Sequence, residues 1–88
     1  MKTMKELSIA QGRITYYLTE TNIDGEQTYG IKVATTLFGG LETEHIKNIT
    51  SNYDYTEELF YLLADNTVLP STLREVVEEY ISSIECRV

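Results

Sequence analysis

The sequence predicts an α+β domain, with an antiparallel sheet of three to four strands followed by two C-terminal helices packed on one face. Three observations predict it. Two alternating segments flank an Asp-Gly turn, a weaker third segment follows a Gly-Gly pair, and the last third carries helix-start signals ahead of two-faced stretches. Strands first and helices second is the order of an α+β fold.

At the N-terminus, Leu7 and Ile9 are candidates for a short strand, and residues 1–6 are candidates for disorder. The alternation loses phase at Gln11-Gly12, which marks a turn or a bulge. Residues 12–21 then alternate, with Ile14, Tyr16 and Leu18 on one face and Thr15, Tyr17 and Thr19 on the other. Residues 27–37 alternate too, with Tyr29, Ile31, Val33 and Leu37 sharing a face. Asp24-Gly25 between them suits a two-residue hairpin turn, in which both residues need positive φ. That turn sets Leu18 against Ile31, Tyr16 against Val33 and Ile14 against Thr35. A slip of one residue would turn every apolar side chain to the wrong face.

The third strand, residues 41–49, is less well specified. A tight turn at Gly39-Gly40 would pair Val33 with Ile46, which suits a core, but would oppose Lys32 to Lys47. Like charges directly opposite are destabilising. A longer loop or a bulge is therefore predicted. In the first helix, Asp54 and Glu57 read as a capping box. Tyr55, Leu59, Leu62 and Leu63 form its stripe, and the end falls near Asp65-Asn66. The second helix starts at Pro70, which suits a first turn, or at Thr72 with Glu75 as a capping box. At 100° per residue, Leu73, Val76, Val77, Tyr80, Ile81 and Ile84 fall within roughly 140°. Arg74, Glu75, Glu78, Glu79, Ser82, Ser83 and Glu85 take the other side.

That closing helix resembles the last motif of a family of small bacterial proteins of unknown function, found mainly in Gram-positive anaerobes. Tyr16-Tyr17-Leu18, Tyr29-Gly30-Ile31 and Ile49-Thr50-Ser51 are similar to that family's earlier motifs, so the resemblance spans nearly the whole chain. The family often has His where Thr72 stands here, which weakens a catalytic role for that position. The resemblance implies no activity, cofactor or partner.

Composition bounds function further. Eighty-eight residues suggest one small domain, residues 1–88. A net charge of −7 with scattered Lys and Arg argues against nucleic acid as a partner. No run is long enough to span a membrane, and no apolar signal-peptide core follows the N-terminus. Cytoplasm is the default expectation. Cys86 is the sole cysteine and reads as an inert surface thiol.

No cofactor, metal or catalytic signature is expected: there is no phosphate loop, nucleophile elbow or Cys-x-x-Cys pair. Glu42, Glu44 and His45 invite a metal reading, but strand alternation puts His45 on the face opposite the two glutamates. Arg74 and Glu78 are spaced for an i,i+4 pair, whereas Glu75 and Glu79 repel. Tyr17 and Lys32 fall on the sheet face that helices would leave open, and Tyr61 points away from its helix stripe. These three are the candidate interaction residues. The leading expectation is a non-enzymatic protein-interaction or regulatory domain, with a homodimer as one form of it. The alternatives are a small enzyme or ligand-binding protein using His45 with Glu42 or Glu44, and an acidic decoy docking on a basic protein.

Overall fold

The computed structural model describes residues 2–85, with side chains as far as Ser82. Four strands, β1 (Lys2–Ile9), β2 (Ile14–Ile23), β3 (Glu26–Thr35) and β4 (Glu42–Thr50), precede two helices, α1 (Tyr53–Asp65) and α2 (Pro70–Glu85). The strands form one antiparallel sheet in the order β1-β2-β3-β4. The expected α+β architecture is the observed one. Cys86 and the side chains of Ser83, Ile84 and Glu85 lie outside the described residues.

The central hairpin has the register that the turn and the alternation require. Asp24 and Gly25 both have positive φ, 53° and 83°. Leu18 pairs with Ile31, Tyr16 with Val33 and Ile14 with Thr35. All six side chains are buried. β3 ends at Thr35, two residues before the predicted end, so Leu37 is an exposed loop residue and no part of the core. Thr35 caps the strand instead. Its hydroxyl donates to the Arg13 carbonyl at 2.9 Å and accepts from the Leu37 N–H at 3.2 Å.

β1 begins at Lys2, inside the segment marked for disorder, and runs beyond the Leu7–Ile9 stretch in both pattern and pairing. An extra residue at Met4 shifts its register between Thr3 and Lys5. The phase break at Gln11-Gly12 is a tight turn with positive φ at Ala10, Gln11 and Gly12.

β4 departs from tight-turn pairing in the way that the two lysines demanded. A six-residue loop, 36–41, replaces the Gly39-Gly40 turn, and the strand slides so that Ile31 meets Ile46 and Lys32 meets His45. Between Ile31 and Tyr29 the register shifts again, and Tyr29 pairs with Thr50. Gly30 therefore faces a bulged stretch in which Asn48 takes a φ of 56°. A Cβ on Gly30 would strike the Ile46 carbonyl oxygen and lie 3.0 Å from Lys47 Cα. β4 can approach this closely only where the side chain is absent.

The helices cover one face. α1 starts two residues earlier than predicted. Its cap is Asn52, whose side chain accepts from the Tyr55 N–H at 3.0 Å, so Asp54 is an ordinary first-turn residue and Glu57 lies beyond the first turn. Its buried side is Thr56, Leu59, Phe60, Leu63 and Ala64. Leu62, placed on the predicted stripe, is 38% exposed, while Phe60 is 1% exposed. α1 ends in a Schellman arrangement. The Val68 N–H bonds the Leu63 carbonyl at 3.0 Å, the Thr67 N–H bonds the Ala64 carbonyl at 3.2 Å, and Thr67 holds a φ of 51°. Tyr16 from the sheet donates its hydroxyl to the Val68 carbonyl at 2.9 Å, which ties that helix end to the core. Burial pushes the Tyr16 phenol up to about 12.

α2 starts at Pro70, so of the two predicted starts the proline is the one used. Thr72 lies inside the first turn, donating to the Leu69 carbonyl at 3.3 Å. Leu73 and Val77 are buried, and Val76, Tyr80 and Ile81 pack on the core as half-buried neighbours. Arg74 reaches Glu44 on β4 at 3.5 Å rather than making the predicted pair with Glu78. An exposed ion pair of this kind contributes little.

Candidate functional site

With both helices on one side, no layer formed by the described residues covers the opposite face of the sheet. One cross-strand row runs over that face through all four strands. Glu6 pairs with Tyr17, Tyr17 with Lys32, and Lys32 with His45. The row exists because the three antiparallel registers bring one residue of each strand into line. The Lys32 ammonium sits 5.3 Å from the Tyr17 ring centroid, within reach of a cation–π attraction. Glu6 is exposed, and Tyr17, Lys32 and His45 are half-buried.

The flanks of the row are small and polar. Ser8 and Thr15 share a hydroxyl hydrogen bond at 3.0 Å. Thr19 Oγ1 and His45 Nε2 are 3.1 Å apart, which buries Thr19 beneath the imidazole. Thr28 donates to Asn48 Oδ1 at the bulge, 2.6 Å away. At one end of the sheet, the 36–41 loop exposes Phe38 and Leu41, 63% and 73% accessible. Exposed apolar groups this large, gathered in one loop, mark a contact surface more often than isolated ones do.

The three predicted interaction residues are only partly brought together. Tyr17 and Lys32 are neighbours, but Tyr61 belongs to the helix layer. There Lys5 donates to the Tyr61 hydroxyl at 3.3 Å and pairs with Glu57 at 3.3 Å. The Tyr61 and Glu57 hydrogen bonds raise the Lys5 pKa. The link depends on β1 reaching back past Lys5, which the apolar pair Leu7 and Ile9 does not signal.

His45 and the glutamates separate as alternation requires. Glu44 turns to Arg74 on the helix side, while His45 turns to Thr19 on the open side. The reading of His45 as partner to Glu44 therefore has no common pocket to work in. Among the described residues no group of three or more His, Cys, Asp and Glu side chains is placed to hold a metal.

Burial, then Lys47 and Lys32, lower the His45 pKa. The unfolded chain takes up that proton near pH 6.5, as an ordinary imidazole does at about that value. The folded chain resists until lower pH, so this contribution to stability is complete above 6.5 and is lost as pH falls toward the folded value. His45→Gln is expected to flatten the decline in melting temperature between about pH 7.5 and 5.5. An unchanged slope would assign that acid sensitivity to other groups.

The profile of DUF6514, a family of unknown function, matches residues 1–83. The chain belongs to this family. The resemblance read in the closing helix and the Tyr-Gly-Ile step extends, as expected, over nearly the whole DUF6514 chain. No curated protein and no solved structure matches it. Among the described residues no helix is long and apolar enough to cross a membrane.

Proposed function

We propose that this DUF6514 protein is a non-enzymatic interaction domain and that the uncovered sheet face is its docking surface. The observation that carries this reading is the Glu6–Tyr17–Lys32–His45 row, an acid, a phenol ring, an ammonium and an imidazole aligned over four strands. The titratable groups best placed for chemistry are engaged within the fold: His45 with Thr19, Lys5 with Glu57 and Tyr61, and Glu44 with Arg74. Tyrosine offers contact area with little side-chain entropy to lose.

A second copy of the chain is the occupant that the row fits. A two-fold axis along β2 over Tyr17 would set Glu6 of one protomer above Lys32 of its partner, and the reverse. Self-complementarity of that kind is what a two-fold interface requires. Sedimentation velocity over a range of concentrations tests it. The wild type is expected to shift from monomer to dimer mass, and Tyr17→Ser is expected to remain monomeric with little change in melting temperature. A dimer that survives Tyr17→Ser would move the interface elsewhere.

A bacterial cytoplasm is the setting we infer. The single cysteine leaves no internal disulfide to form, and the motifs of the closing helix resemble those of small bacterial proteins.

A further inference from the structure

The helix layer carries a second surface, independent of the sheet face. Because α1 buries Phe60, it turns Leu62 outward into the angle between the helices. Leu62 and Val76 line a concavity of about 570 Å³ there. Leu62 also lines a neighbouring concavity of about 330 Å³, so the two adjoin at that side chain along the helix pair. Glu75 and Glu79 of α2 flank the first, and Glu58 and Asp65 of α1 flank the second. All four carboxylates are exposed, and among the described residues no Lys, Arg or His lines either concavity.

We propose that this groove docks a basic amphipathic helix of another protein. An apolar floor between two helices is the geometry that accepts the apolar stripe of a third. The rim decides which helix. Lysines or arginines flanking the stripe would meet carboxylates on both sides. An acidic helix would add like charge to a rim that has no cation to offset it, and such juxtaposition excludes wrong partners. The repulsion between Glu75 and Glu79 is relieved by the same cations.

Fluorescence anisotropy tests the proposal with two labelled synthetic helices of about 18 residues. One is a leucine–lysine amphipathic helix, and the other has the same pattern with glutamate for lysine. The lysine helix is expected to saturate the full chain, with affinity that falls as salt rises, and the glutamate helix is expected not to bind. Glu75→Lys and Leu62→Ser should each weaken binding by about tenfold or more, a hot-spot-sized effect. Glu26→Lys changes net charge equally at the β2–β3 turn, outside the groove, and should change affinity by less than about twofold. Tyr17→Ser should leave it unchanged, which separates this groove from the sheet-face interface. Absence of binding, equal binding of both helices, or equal losses from Glu75→Lys and Glu26→Lys would overturn the proposal.

Discussion

Replacing Gly30 by alanine is expected to destabilise the protein by about 3 kcal/mol or more, at or beyond the upper end of ordinary overpacking. The added methyl would strike the Ile46 carbonyl oxygen, with Lys47 Cα at 3.0 Å and Thr19 Oγ1 at 3.2 Å. Two of these three atoms are backbone and cannot swing aside as a flexible side chain could. Relief requires β4 to lift from β3, which would strain the Lys32–His45 pairing and the cover over Thr19. In a domain of this size the loss corresponds to a fall in melting temperature of roughly 12–24 °C. Gly40→Ala is the control, because a Cβ there meets nothing within 4 Å. It should move stability by less than about 0.5 kcal/mol. A Gly30→Ala protein that melts within about 2 °C of wild type would mean that β4 does not cross this position as described.

The second large effect concerns the rotation of α1. Phe60→Ala is expected to cost about 3–5 kcal/mol, as for other buried phenylalanines. Leu62→Ala should cost less than about 1 kcal/mol, because a 38% exposed side chain loses only part of its transfer energy. Urea denaturation of the two variants measures both. The ratio matters more than either value. A helix turned to bury Leu62 would reverse it, and would also close the groove between the helices.

These two sites mark where the sequence stops being legible. The β2–β3 hairpin was readable to the residue because two independent signals agreed, the Asp24-Gly25 turn and the alternation around it. Tyr17 and Lys32 followed from that register as neighbours on the open face. The pairing of β4 was not readable. Opposed Lys32 and Lys47 argued against a tight turn, yet no side-chain pattern gives the size of a bulge. Only Gly30, in a strand that otherwise has no use for glycine, and Asn48, which tolerates positive φ, carried a trace of it.

In α1 the near-continuous run Leu59-Phe60-Tyr61-Leu62-Leu63 supports more than one apolar stripe, so periodicity could not choose the phase. Packing chose it, with Phe60 turned to the sheet. Tyr55 and Leu62 were consequently left on the α2 side, where the Tyr55 and Tyr80 rings approach to 5.3 Å. The helix groove was invisible in the sequence for the same reason. Its floor depends on the rotation of one helix, and its rim on two helices that are neighbours only after folding.

The sheet face and the helix groove lie on opposite layers of the structure, so they could be occupied together. The first joins copies if its charge row is used as proposed, and the second recruits a basic segment. Both assign exposed carboxylates to recognition, and the first adds Tyr17. They also leave the core, built on Tyr16, Leu18, Ile31 and Phe60, to stability alone.

The most direct measurement is the solution mass of two single charge variants, alone and mixed. Glu6→Lys places like charges opposite one another across the proposed two-fold axis, and so does Lys32→Glu. Each variant alone is expected to be monomeric at concentrations where the wild type dimerises. Mixed one to one, they regain opposite charges at both contacts and are expected to form a heterodimer. Monomers in the mixture, or dimers in either variant alone, would contradict the assignment of the sheet face as the interface.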